Sequence, residues 1–295
     1  MNAAAAERST GGQARRPMRG LLEHSRLIHV ASLAVTFGAW EWYGRDVDPI
    51  FFSYPSAILA AVPEMLRSGE LAKAISTSMV GFVIGFALAI VFGVLVGLLM
   101  GRYRFIDNLL DAQISALYST PNVALIPLLI LWFGLGLESK VVIIFLAAFF
   151  PIVVNTYGGV RNVSRSYVEI AQVERARESQ IFTKIIVPAA LPFIMTGIRL
   201  SVGRAVVGMV VAEMFTAITG LGGAIVYYGN QFKTDKLLVI IMLLALFGVS
   251  LTEIAKYLER RFSSWKETER ASRPSRQGER PIPPDPMPSG PVREA

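Results

Sequence analysis

Along the chain, long uncharged runs alternate with short charged stretches. Between Lys73 and Arg102 no charged residue occurs at all, in AISTSMVGFVIGFALAIVFGVLVGLLMG. A second such run lies between Asp111 and Glu138, a third between Lys140 and Arg161, and a shorter one between Lys236 and Glu253. A helix needs about 20 mainly apolar residues to cross the hydrocarbon of a bilayer, so each run reads as a span. The segment PFIMTGIRLSVGRAVVGMVVAEMF (192–215) reads as another, despite the charges inside it. Near the N-terminus Leu27–Trp40 is short, but WEWY (40–43) supplies interfacial aromatics that complete the crossing. Six spans are expected, at 27–44, 76–101, 112–135, 140–160, 190–215 and 236–256. The expected fold class is an all-α integral membrane protein.

Charge asymmetry sets the direction of these spans, because cytoplasmic segments carry the excess of Lys and Arg. With the N-terminus inside, the inner segments hold five Arg before the first span and two more in 101–111. They hold five Lys or Arg in 161–184 and nine after residue 255. The outer segments hold only Arg45, Arg67, Lys73, Lys140, Lys233 and Lys236. Both termini and residues 161–188 are therefore expected in the cytoplasm. Residues 1–26 (Ala, Arg and Gly-rich) and 263–295 (Pro, Arg and Glu-rich) read as disordered tails with too little apolar surface to fold. The first span lacks an A-x-A cleavage pattern, which favours an uncleaved anchor over a signal peptide.

Composition narrows the chemistry. Of 295 residues 53% are hydrophobic and only 17% charged. There is no cysteine, which excludes disulfides and thiolate metal sites. Two histidines, His24 and His29, are too few and too local for a metal cage, and no phosphate-cradling G-x-x-x-x-G-K-[ST] loop occurs. No cofactor is expected. The net charge of +7 follows membrane topology rather than a nucleic-acid footprint.

Three features stand out within the spans. Gly81, Gly85, Ala89, Gly93, Gly97 and Gly101 recur every four residues, forming one slowly winding seam where another backbone can approach closely. That seam serves packing within one subunit or a face toward a second copy or a pore. Span three contains STPNVALIPL, in which Pro121 and Pro127 each tend to kink the helix and free carbonyls at membrane depth. Asn122 beside the break is a candidate to line a polar path, an interhelical hydrogen bond being the alternative. Arg199, Arg204 and Glu213 lie inside span five, where an ionised side chain needs a partner or an aqueous cavity. They are candidates for a translocation path favouring anions, or else bridge to helix ends near the cytoplasmic side. Arg199 and Glu213 are about 21 Å apart along one helix and cannot pair with each other.

The inner stretch YVEIAQVERARESQIFTKIIVPAALP (167–192) is too long and too charged for a simple turn. Tyr167, Ile170, Ala171 and Glu174 share one helical face, and Ile181, Phe182, Ile185 and Ile186 form a second patch. The polar elbow ERARES separates them, and Pro188 opens the next span. The loop either lies on the inner leaflet or docks a cytoplasmic partner.

At these residues the chain resembles the permease subunits of bacterial binding-protein-dependent ABC importers. Their cytoplasmic EAA loop reads E-A-A, three residues, Gly, nine residues, then I-x-L-P. Glu169, Ile170 and Ala171 fall on the first three positions, and IIVP (185–188) falls on the last four. The likeness extends over roughly 28–262, where SYPSAILAAVPEML, LIPLLILWFGLGLESKVVIIFLAAFFPIVVNTYGGVRNV and PAALPFIMTGIRLSVGRAVVGMVVAEMF resemble the nitrate, sulfonate, taurine and bicarbonate branch. The resemblance implies six transmembrane helices of the type I importer kind, with a coupling loop between spans four and five. It implies a non-catalytic subunit in the bacterial inner membrane, with ATP hydrolysis on two separate cytoplasmic ATPase chains. A second permease copy, a periplasmic or lipid-anchored solute-binding protein, membrane lipid and a small solute (an anion such as a sulfonate, taurine or nitrate) complete the implied partners, with no nucleic acid. Glu169, Ile170, Ala171, Glu174, Arg175 and Pro188 would form the coupling loop. In that reading Ile170 and Ala171 insert into the ATPase while Glu169 orients the loop.

Two positions depart from the pattern. Ile170 replaces the first Ala, and Arg175 stands where the family has its Gly. Because EIAQVERARES contains no strong helix breaker, Arg175 is expected to keep helical dihedrals. The readings set against a permease are a stand-alone secondary transporter, which calls for paired broken helices, and a membrane enzyme, which calls for a catalytic constellation.

Overall fold

The computed structural model describes residues 18–216 and 219–263, with side chains placed over 27–216 and 219–261. Of the tails expected at 1–26 and 263–295, residues 1–17 and 264–295 lie outside the described residues. Helices α1 (Met18–Asp46), α2 (Pro55–Arg67), α3 (Glu70–Arg102) and α4 (Arg104–Ser119) come first. A 3-10 turn at Asn122–Leu125 leads into α5 (Ile126–Phe133), followed by α6 (Leu137–Arg161), α7 (Arg165–Val173) and α8 (Glu178–Ile181). A π turn at Phe182–Ile186 continues directly into α9 (Val187–Phe215), and α10 (Gly220–Asn230) and α11 (Thr234–Ser263) complete the order. No strand occurs among the described residues.

Four helical segments are long and apolar enough to cross a membrane: α3, α6, the run Glu178–Phe215 and α11. The third expected span is a broken one, α4 meeting the Asn122–Phe133 segment at a bend of 93°. Helix α1 has 29 residues but is less apolar than these, and it packs mainly on α2. It begins at Met18, so residues 18–26, expected in a disordered tail, are helical instead. Helices α2 and α10 were not foreseen, being short amphipathic or glycine-rich pieces inside segments read as loops.

The prolines of span three act differently from one another. Thr120, preceding Pro121, is held extended at ψ 131, and Pro121 itself has ψ 110, which ends α4. Pro127 lies in the first turn of α5, where a missing N–H is harmless, so the expected second kink is absent.

The core is a three-helix layer in which α6 lies between α3 and α9. The glycine seam of α3 faces α6 throughout. A Cβ added at Gly97 would sit 2.6 Å from Thr156 Cβ and 2.8 Å from the Val153 carbonyl, and one at Gly101 would sit 2.5 Å from Val160 Cβ. These glycines are there because the two backbones leave no space for a side chain. Ile144, Ala148, Ile152, Ala205 and Met209 fill the layer, with Ala89 of the seam fully buried among them.

Candidate functional site

Three places concentrate chemistry that an apolar core does not need. The first is a half-open cavity of about 240 Å³ lined by residues of the Asn122 turn, α5, α6 and α9. Asn122 and Arg204 both line it, among the apolar side chains of Val123, Ile126, Ile143, Ala147, Val207 and Val211. The Asn122 Oδ1 is buried there without a hydrogen-bond partner. Arg204 lies near the middle of α9 with its guanidinium carbon 4.9 Å from the ring centre of Tyr118. Among the described residues no acid pairs with it. An ionised group at mid-span costs about 2.5–3.5 kcal/mol on insertion scales, so an unpaired arginine at this depth is a functional signal.

Arg199 and Glu213 do not line that cavity. Arg199 forms an ion pair with Glu259 of α11 at 2.9 Å, and the Thr196 hydroxyl donates to the same carboxylate at 2.8 Å. The bridging alternative thus describes Arg199, whose ion pair with Glu259 occupies it about one and a half turns from Arg204.

Glu213 belongs to the second place, a buried polar knot joining α3, α6, α9 and α10. It is 1% exposed. Its Oε2 accepts hydrogen bonds from the Ser78 hydroxyl at 2.9 Å and from the Gly222 amide at 2.9 Å. Ser78 in turn accepts from the Leu221 amide at 2.8 Å. Lys140, 5% exposed, brings its Nζ to 3.8 Å from Glu213 Oε1 and donates to Thr219 Oγ1 at 2.6 Å. The carboxylate therefore sits at the N-terminus of α10, where unsatisfied amides and the helix dipole favour negative charge. Gly220, at φ 72, is held to glycine because a Cβ would lie 2.2 Å from Glu213 Oε1. Glu213 thus ties helices to one another, away from the cavity that Asn122 and Arg204 line. Ser78 carries no signal in the sequence, and Lys140 reads there only as an outer charge at the edge of the expected 140–160 span.

The third place is the cytoplasmic loop. Helix α7 ends in two capping bonds, Arg175 N–H to the Gln172 carbonyl (3.0 Å) and Ala176 N–H to the Ala171 carbonyl (2.9 Å). Together they form a Schellman turn whose left-handed residue is Arg175, at φ 56. The expectation of helical dihedrals at Arg175 is therefore wrong. The two capping bonds satisfy otherwise orphaned carbonyls and offset a left-handed conformation that costs an L-residue about 1–2 kcal/mol. The loop then restarts at Glu178, whose carboxylate pairs with Arg102 at the end of α3. Pro188 stands in the first turn of α9.

The faces of α7 also differ from expectation. Ala171 is 9% exposed and turned into its own subunit, whereas Ile170 is 61% and Val173 80% exposed. Tyr167 joins them on the outer side, three residues before Ile170. Glu169 and Gln172 border a cleft shared with Arg102 and Arg165. The outward apolar set is Tyr167, Ile170 and Val173, and Ala171 is not part of it. Glu174 caps α7 and remains exposed beside the elbow.

A polytopic helical protein with this loop defines a class, and comparison with known proteins defines it further. A profile for the binding-protein-dependent transport system inner membrane component matches residues 89–264. The chain is 36% identical over 239 residues to the putative aliphatic sulfonates transport permease protein of Escherichia coli K12, covering 81% of this chain and 88% of that one. It is 33% identical over 237 residues to the protein of the same description from Bacillus subtilis 168, covering 80% and 86%. To the taurine transport system permease protein of E. coli K12 it is 29% identical over 246 residues, covering 81% and 89%. In fold it is similar to a chain of the inward-facing MetNI methionine ABC transporter, with TM-score 0.58 at 18% identity over 68% of this chain and 98% of that one. The chain belongs to the inner-membrane permeases of binding-protein-dependent ABC importers, in their sulfonate and taurine branch, with the type I permease fold.

Proposed function

We propose that this permease forms the translocation path for a small anion of the sulfonate, taurine or nitrate kind. It couples that path, through residues 165–188, to ATP hydrolysis on two separate cytoplasmic ATPase chains. A second copy completes the path, and a periplasmic or lipid-anchored binding protein delivers the solute. Both termini lie in the cytoplasm, following the positive charge of residues 101–111, 161–184 and the C-terminal segment.

The observation that carries this reading is the exposed apolar set Tyr167, Ile170 and Val173 on a helix braced from behind. Ala171 anchors α7 to its own subunit, and the Arg102–Glu178 pair ties the next segment to the end of α3. A push on α7 would reach the α3–α6–α9 layer through the cleft where Glu169 and Gln172 meet Gly101, Val160 and Ile186, the differential contact that alternating access requires. Among the described residues only one span is broken, so the paired broken helices of a secondary transporter are not in view.

The test is joint substitution Ile170→Asp with Val173→Asp, followed by purification and uptake measurement. The expected result is loss of the co-purifying ATPase and of ATP-driven uptake at unchanged permease abundance. Retained ATPase and normal uptake would remove the loop from the coupling role. Glu169→Lys, which changes the cleft rather than the outer face, is expected to lower uptake less.

A further inference from the structure

We propose that Arg204, held by the Tyr118 ring, and Asn122 form an intramembrane site for the head of an organic anion. The apolar wall of the same cavity takes its tail. The proposal rests on the permease reading above and adds a claim to it: the membrane subunit itself discriminates between anions, in addition to whatever the delivering protein selects.

Three independent features converge. Arg204 is the only one of the two span-five arginines without a carboxylate partner among the described residues, since Arg199 forms an ion pair with Glu259. A mid-span cation left this way is a standing demand for an anion. Tyr118 stacks on the guanidinium at 4.9 Å, which fixes its plane while leaving its N–H donors for a ligand. A guanidinium fork matches the paired oxygens of a sulfonate or carboxylate. Asn122, at the break in span three, offers a buried amide whose Oδ1 has no partner in the protein. Turning that amide presents either a donor to the anion head or an acceptor to a polar tail group.

The rest of the lining decides the class of anion. Ile126, Ile143 and Ala147 are buried, and together with Val123, Val207 and Val211 they offer a small inorganic anion no polar contact. The same wall gains from contact with a hydrocarbon tail. At about 240 Å³ the cavity has room for about eight water-sized groups of ~30 Å³ each, enough for a short alkanesulfonate.

Two measurements test this on the full chain. In detergent, millimolar butanesulfonate is expected to raise the melting temperature of the wild-type permease, and nitrate to raise it far less. Arg204→Gln is expected to abolish the butanesulfonate shift while leaving the ligand-free melting temperature unchanged or higher, because it removes an uncompensated charge. Arg204→Lys is expected to keep part of the shift. In proteoliposomes with the ATPase and binding protein, Arg204→Gln and Asn122→Ala are expected to lower butanesulfonate uptake, the former by about tenfold or more. Equal shifts with nitrate and butanesulfonate, or Arg204→Gln uptake within about twofold of wild type, would overturn the site. So would a lower ligand-free melting temperature in Arg204→Gln combined with no wild-type shift, which would make Arg204 structural. The melting arm needs no ATPase, so a permease that fails to assemble with one would sink the coupling proposal and leave this site to be decided separately.

Discussion

Breaking the Lys140–Glu213 pair is expected to unfold the outer half of the helix layer before anything else. The pair lies 3.8 Å apart with both side chains almost fully enclosed. At that separation and an effective dielectric constant of about 20, the attraction amounts to about 4 kcal/mol, largely offset by the desolvation of both groups. The net value of the pair is therefore modest, but the cost of removing one partner is not. Lys140→Met strands a carboxylate that still receives two hydrogen bonds, from Ser78 and Gly222. Glu213→Gln strands an ammonium whose remaining hydrogen bond is to Thr219. Each single change is expected to cost about 3 kcal/mol, the lower end for a broken buried pair because of these surviving bonds. The double substitution should cost less than the sum of the two by about 1–3 kcal/mol. Reversible unfolding by SDS in mixed micelles, followed by tryptophan fluorescence, measures all three. Glu253→Gln, which opens an exposed pair with Lys256, serves as the control and should change nothing measurable. If the two single effects add to within about 0.5 kcal/mol, the groups are not coupled and the knot does not hold α10 as described.

Other expectations follow from single contacts. Gly97→Val places a Cβ against Thr156 and the Val153 carbonyl, and overpacking at such a site costs about 1–3 kcal/mol or more, read as a lower melting temperature. Arg175→Gly relieves about 1–2 kcal/mol of left-handed strain and gives back about 0.5–1 in backbone freedom. A small net stabilisation of the elbow should appear as slower amide exchange at 171–177, and faster exchange would contradict the Schellman geometry. The Glu64 carboxyl is held below the usual carboxylate range, chiefly by its hydrogen bond from Lys236 at 2.7 Å and then by that ammonium's charge. A depressed folded value means the contribution is full above the unfolded carboxylate pKa and is lost as pH falls through the folded one. Protease cleavage near residue 67 should therefore rise only in acid, and in Lys236→Ala that acid step should vanish.

The parts of this molecule legible in the sequence are those fixed by local periodicity. Four-residue spacing of Gly81 through Gly101 marked the face that α6 covers, and uncharged length marked α3, α6 and α11. The Glu169–Pro188 spacing marked the loop, but it did not tell which side of α7 faces out. That depends on how Ala171 seats against the subunit, a tertiary matter. Arg175 departs from helical dihedrals because the turn there is set by two backbone hydrogen bonds closing on Ala171 and Gln172, not by a helix-breaking side chain. Lys140, Ser78 and Glu213 are separated by scores of residues, and no one-dimensional pattern announces a pairing closed across three helices. Arg199 and Arg204 looked alike in sequence; only the position of Glu259 on α11 separates them.

Coupling through α7 has a direct test, because the chain contains no cysteine and each introduced thiol is the only one. Val173→Cys and Ala171→Cys are placed singly, and the purified transporter is treated with a short bifunctional thiol reagent against its ATPase chain. Val173→Cys should cross-link to the ATPase and lose ATP-driven uptake when it does, whereas Ala171→Cys, facing its own subunit, should not cross-link. Labelling of Val173→Cys by a lipid-confined reagent, with no ATPase cross-link, would place α7 on the membrane surface and contradict the coupling role.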